Sequence, residues 1–144
     1  GGAKVLATAL LTNHTLTSLN LGRNDTGVGG AKALATALLT NHTLNCLDLS
    51  YCDIRVQVVQ ALASALQTNN TLTCLNLEGN QITAEGGAKA LSEALQTNHS
   101  LTSLNLSTNR IGDEGAACII ASLARKERRH GWTRTGREEG GDAV

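Results

Sequence analysis

Leucine alternates with polar residues in four short stretches of this 144-residue chain. They read LTSLNL from Leu16, LNCLDL from Leu44, LTCLNL from Leu72 and LTSLNL from Leu101. In an extended chain successive side chains point to opposite faces, so Leu19 and Leu21 share one face while Ser18 and Asn20 share the other. That pattern predicts a short strand with one buried face. Between these stretches the period changes. Leu34 and Leu38 fall four apart with Ala31 and Ala35 beside them, the spacing of an amphipathic helix. The helical segments read GGAKVLATALLTN from Gly1, GGAKALATALLTN from Gly29 and GGAKALSEALQTN from Gly86, with divergent versions from Val58 and Gly115. Small residues at the helix start let that turn pass close to its neighbour.

The units begin at Leu16, Leu44, Leu72 and Leu101, which gives repeats of 28, 28 and 29 residues. One strand and one helix cannot bury their apolar faces alone, so the units must stack into a continuous core. The expected organisation is a partial repeat over 1–15, repeats over 16–43, 44–71, 72–100 and 101–124, and a polar, charged tail over 125–144. The tail contains no leucine and cannot extend the sheet; it is expected as a cap extension or a disordered segment.

The first half of each unit follows L-x-x-L-x-L-x-x-N/C-x-I, as in LNCLDLSYCDI, LTCLNLEGNQI and LTSLNLSTNRI, with LTSLNLGRNDT as the variant. Over roughly residues 1–123 this resembles leucine-rich repeats of the long ribonuclease-inhibitor type, and within that type the leucine-rich regions of NOD-like receptors, through phrases such as NRIGDEGA from Asn109. The resemblance implies an α/β solenoid, a right-handed horseshoe with a parallel sheet on the concave face and helices on the convex face. It also implies that Asn24, Asn80 and Asn109 are buried and tie neighbouring loops through their amides. Cys52 stands at that position in the second unit, and a thiol is a poorer donor, so its rung is expected to be weaker. The first full unit is one residue short between Asn24 and Gly30 and has Thr26 in place of Ile, which predicts an irregular loop.

Composition narrows the picture. Hydrophobic content of 41% and charged content of 17% describe a folded chain, and 1% aromatic content means an aliphatic core. A chain without Met that starts mid-pattern is expected to be a fragment, either monomeric or part of a larger chain. No run of about 18 apolar residues is present, so no membrane span is expected; no signal peptide is visible, and a cytoplasmic location is expected. Net charge is zero, and six of the 12 basic residues lie from Arg125 onward, which argues against nucleic acid as a partner of the body.

Several residues suggest chemistry on their own. Asn13, Asn41, Asn69 and Asn98 sit in Asn-x-Thr/Ser patterns, as do Asn24 and Asn105. The first four follow the last helical leucine, where asparagine tolerates the left-handed conformation; that helix-end role is expected rather than glycosylation. His14, His42 and His99 occupy one turn position and are expected to be solvated, without a metal. Cys46 and Cys74 hold equivalent strand positions and are expected to be free thiols; Cys52 is expected to be buried, and Cys118 to lie near the helix surface, in the column of Lys4, Lys32 and Lys89. Neither a phosphate loop nor a dinucleotide fingerprint is present, so no cofactor is expected. Glu85, Asp113 and Glu114 are helix-start acids, and no nucleophile, base and oxyanion donor converge, so an enzyme is not expected.

What remains is the outward face of the strands. It carries Ser18, Asn20, Gly22 and Arg23; Cys46, Asp48, Ser50 and Tyr51; Cys74, Asn76, Glu78 and Gly79; and Ser103, Asn105, Ser107 and Thr108. Only Arg23, Asp48, Tyr51 and Glu78 have reach or charge, with Ser18, Asn20, Asn76 and Asn105 around them. Tyr51 is the aromatic anchor, and Asp48 and Glu78 favour a basic counter-surface. Four strands span only about 15–20 Å, which suits the terminal part of a longer arc. The expected function is a non-catalytic protein-interaction module, ligand-sensing or autoinhibitory in a NOD-like-receptor-like protein. The alternatives are a GTPase-activating module, resembling the Ran GTPase-activating protein, and an extracellular adhesion repeat.

Overall fold

Each leucine-alternating stretch supplies one strand and each glycine-led segment one helix. In the computed structural model, which describes residues 1–129, the order is α1 (Gly2–Leu10), β1 (Ser18–Asn20), α2 (Gly27–Leu38), β2 (Cys46–Asp48), α3 (Val56–Thr68), β3 (Cys74–Asn76), α4 (Lys89–Thr97), β4 (Ser103–Asn105) and α5 (Gly112–Arg129). A π-helical turn, Ala84–Ala88, leads into α4. The sheet is parallel throughout, in the order β1-β2-β3-β4, and in register unit by unit: Leu19, Leu47, Leu75 and Leu104 stand side by side. Each helix packs against the helix of the next unit. Helix α5 runs past residue 124 to Arg129; the rest of the expected tail lies outside the described residues.

The core is aliphatic and sits between sheet and helices. Leu47 and Leu75 from the strands, with Leu49 and Leu77 just after them, meet Leu34, Leu38, Leu62, Leu66 and Leu91 from the helices, all with side chains essentially removed from water. Burying one leucine contributes about 1.5–3 kcal/mol, so the middle units carry most of the stabilisation. At Gly30 α2 passes close to α1, since a Cβ there would lie 2.7 Å from the Cβ of Ala3.

The 29-residue unit shows how the repeat absorbs an extra residue. From Cys52 to Leu62 is ten positions, and from Asn80 to the equivalent Leu91 is eleven. The surplus is taken up by the π turn over Ala84–Ala88, one residue wider than an α turn. The loop after β1 is irregular, as expected: Thr26 starts its helix from αR geometry, where Arg55 and Thr83 are extended, and Gly27 has φ +62.

The helix-end asparagines correct the sequence reading. None of Asn13, Asn41, Asn69 and Asn98 has positive φ, and Asn69 and Asn98 are extended, with φ −72 and −75. They are not left-handed caps. Asn41, Asn69 and Asn98 are buried and form a ladder through the stack. Each amide nitrogen donates to two carbonyls of the preceding unit: Asn41 to Leu10 and Asn13, Asn69 to Leu38 and Asn41, and Asn98 to Leu66 and Asn69. Each side-chain oxygen accepts two backbone N–H groups two and three residues ahead, as Asn69 does from Thr71 (3.1 Å) and Leu72 (2.8 Å). The Asn-x-Thr/Ser pattern is therefore a turn that joins units, and its buried amides are already committed.

A second column follows the strands. The Asn80 side chain donates to the Leu49 and Leu77 carbonyls and accepts from Cys52 and Ile54 N–H. Asn109 repeats this toward Leu77 and Ile82. Cys52, 2% exposed, donates its thiol to Leu21 O at 3.1 Å and Ser50 O at 3.4 Å. The Thr26 amide, equivalent to Ile54, turns back to Asn24 O instead. The thiol replaces the donor half of the rung.

Candidate functional site

The open face of the sheet carries the side chains that the pleat turns away from the core. At the end of each strand one residue closes the same local turn. Asn20 Oδ1 accepts from Gly22 N–H at 2.8 Å, Asp48 Oδ1 from Ser50 at 2.8 Å, Asn76 Oδ1 from Glu78 at 3.1 Å and Asn105 Oδ1 from Ser107 at 3.0 Å. Asp48 is the charged member of this row. Burial pulls the pKa of its carboxyl up, but hydrogen bonds from the Ser50 side chain, the Ser50 backbone and the Asn76 amide outweigh that, and the net result lies below the ordinary 3.8. Asp48 is therefore ionised at neutral pH.

Three residues further along, every unit places a residue in the left-handed region: Arg23 (φ 59), Tyr51 (φ 53), Gly79 (φ 66) and Thr108 (φ 56). In the third unit that residue has no side chain, and the Tyr51 ring occupies the space a Cβ of Gly79 would need. The Arg23 guanidinium stacks over the ring at 4.4 Å from its centroid. The Tyr51 hydroxyl donates to Glu78 Oε1 at 3.1 Å, and Asn105 Nδ2 donates to Glu78 Oε2 at 3.2 Å. A continuous polar strip thus crosses four units. Asn76 Nδ2 to Asp48 Oδ2, at 3.2 Å, makes a second cross-strand link beside it.

Of the eight residues named from the sequence, Arg23, Tyr51, Glu78 and Asn105 join in this strip, and Asp48 pairs with Asn76. Ser18 and Asn20 lie on the edge strand, both exposed. Sequence reasoning missed that Gly79 makes room for Tyr51; the clue was that Gly79 aligns with Arg23, Tyr51 and Thr108, one position per unit. Among the described residues the ion pair present is Arg55–Asp53, on an exposed loop, so neither Asp48 nor Glu78 is neutralised by a cation.

The other candidates fall elsewhere. His14, His42 and His99 are exposed on the turn side, and among the described residues no group of three His, Cys, Asp or Glu is placed to hold a metal ion. Cys46, Cys52, Cys74 and Cys118 are free of disulfides. Cys118 is half-buried on α5, and its carbonyl accepts from the Ser92 and Ser122 hydroxyls, which also contact each other. Lys4, Lys32 and Lys89 are exposed on the helices. Among the described residues no helix is long and apolar enough to cross a membrane.

Comparison with known proteins agrees with this architecture. The family described as Leucine Rich repeat matches at residues 12–35, 40–63, 68–91 and 97–119, one match per full unit. No curated protein matches the chain. Among solved structures, the chain is similar to leiomodin-1 actin-binding site 2, with TM-score 0.74 and 24% identity over 86% of this chain and 72% of that one. It is also similar to the tropomodulin C-terminal domain of Caenorhabditis elegans, with TM-score 0.59 and 15% identity over 90% of this chain and 96% of that one. At these identities the likeness is one of fold. With four matched units stacked on one parallel sheet, the chain belongs to the leucine-rich repeat family.

Proposed function

We propose that this chain is a non-catalytic protein-interaction module that docks a partner on the open face of its sheet. Arg23, Asp48, Tyr51 and Glu78 make the principal contacts, and Ser18, Asn20, Asn76 and Asn105 flank them. The observation that carries the reading is the strip Arg23–Tyr51–Glu78, in which side chains from three consecutive units hold one another in place. A side chain fixed before binding loses less entropy on binding, and tyrosine and arginine are enriched at binding hot spots. The carboxylates of Asp48 and Glu78 select a partner surface bearing lysine or arginine. The finer form of this proposal is a cytoplasmic, ligand-sensing or autoinhibitory leucine-rich region of a NOD-like-receptor-like protein; the phrase NRIGDEGA from Asn109 supports it. A second reading, actin as the partner, is favoured by the likeness to leiomodin-1 actin-binding site 2.

Selection of peptides from a random display library on the native chain tests the face. Binders enriched in lysine and arginine that lose at least tenfold in affinity on Asp48→Asn with Glu78→Gln are expected. Binders indifferent to that pair and sensitive to Lys32→Ala on the helical side would overturn the proposal. Cosedimentation with actin filaments, with and without Tyr51→Ala, decides the second reading.

A further inference from the structure

We propose that Cys46 and Cys74 form a reversible dithiol modification site, which a low-molecular-weight disulfide converts into a cross-strand disulfide. The two residues are Cα partners on the adjacent parallel strands β2 and β3. Neighbouring strands lie about 4.8 Å apart, inside the usual Cα separation of about 4.4–6.8 Å for a disulfide. In register on a parallel pair, both side chains rise from the same face, and both are half-buried on the open side of the sheet, within reach of a small reagent. The sulfurs sense each other: the Cys46 thiol is pushed above its ordinary 9.0 by burial, by the charge of Cys74 and by a hydrogen bond with Cys74.

The other two cysteines have no such partner. Cys52 is buried with its thiol donated to the Leu21 carbonyl, and Cys118 lies on α5. Parallel strands hold paired Cβ atoms side by side at nearly the strand spacing, wider than the relaxed disulfide mean of about 3.8 Å. The bond is therefore strained, and strained disulfides are the readily reduced ones. Reversibility follows from the same geometry that permits closure.

The chemistry balances in two exchanges. The thiolate of one cysteine attacks the small disulfide, forming a mixed disulfide and releasing one small thiol. The second cysteine attacks the protein sulfur of that mixed disulfide, closing the Cys46–Cys74 bond and releasing the second small thiol. The protein gives up two electrons and two protons, and the small disulfide takes them. This site lies one row along the strands from Asp48 and Asn76, but the proposal does not depend on what docks there.

Oxidised glutathione on the native chain, followed by intact-mass and peptide mapping, tests it. The expected product has lost two hydrogens, carries the Cys46–Cys74 link and returns to the dithiol in excess reduced glutathione. Cys46→Ser and Cys74→Ser should each stop at one stable glutathione adduct on the remaining cysteine of the pair. Two glutathiones on the unmodified pair, a link through Cys118 or between chains, or an unreacted pair beside a modified Cys118 would each overturn the proposal. Phenylarsine oxide gives a second reading on the native sequence, independent of whether the serine variants fold. One equivalent that protects both thiols from alkylation is expected, and two unprotected thiols contradict it.

Discussion

The turn column Asn41–Asn69–Asn98 and the face strip Arg23–Tyr51–Glu78 cross the same units and are built in opposite ways. In the turn column Asn41, Asn69 and Asn98 make the same four bonds, two back to carbonyls of the unit before and two from the N–H groups of the turn just ahead. In the strip every unit supplies a different residue at aligned or adjacent positions, exposed or half-buried, and the contacts run through side-chain chemistry particular to this chain. Repetition marks what stacking requires. Departure from repetition, on a face with no core to serve, marks what is available for recognition.

Breaking the column should cost most. Asn69→Ala strands two buried carbonyls, the buried N–H of Leu72 and the half-buried N–H of Thr71 at once. The cost of leaving such groups unpaired is about 1–3 kcal/mol each where no water reaches them, and relaxation offsets part of it. A loss of about 3 kcal/mol in urea unfolding is expected. Gly79→Ala strikes the junction of column-like regularity and strip-like specificity. A side chain at φ +66 is strained, and the Cβ displaces the Tyr51 ring; a loss of about 2 kcal/mol is expected, with altered tyrosine fluorescence as the accompanying sign.

Cys52→Asn should move the other way. It restores acceptors for the loop after β1, where the Thr26 amide now bonds Asn24 O, and a gain of about 1 kcal/mol is expected. A lower unfolding midpoint would show that the irregular first loop cannot use the amide. The smallest effect belongs to Asp48. Its folded pKa is depressed below 3.8, so its contribution to stability is complete above that value and is lost as pH falls through the folded pKa. Asp48→Asn should flatten the fall in the urea midpoint below about pH 4 and leave the neutral-pH midpoint nearly unchanged.

Much of the fold was legible because its two periods are simple. Leu47 and Leu49 alternate, and Leu34 and Leu38 recur at four, so strand, helix and stacking follow from burial alone. The turn column was misread because Asn-x-Thr/Ser after a helix fits a left-handed cap, a glycosylation acceptor and a buried ladder equally well. Only the neighbouring unit's carbonyls, 28 to 32 residues away in sequence, decide among them. The extra residue of the third unit was visible as a length of 29, but its absorption in a π turn depends on helix geometry that spacing does not record. The eight face residues could be named from the pleat. That Arg23, Tyr51 and Glu78 touch could not, because contact needs left-handed backbone at Arg23 and Tyr51 and a missing side chain at Gly79.

The separation between stacking and recognition is tested most directly on Tyr51→Ala. Titrating a peptide selected on the native chain into this variant, with its urea midpoint measured in the same buffer, gives both quantities. The strip's exposed cation–π contact contributes only about 0.5–1 kcal/mol to folding, so the midpoint should barely move while affinity falls at least tenfold. Unchanged affinity, or a loss of stability as large as that of Asn69→Ala, would contradict the assignment of this strip to recognition.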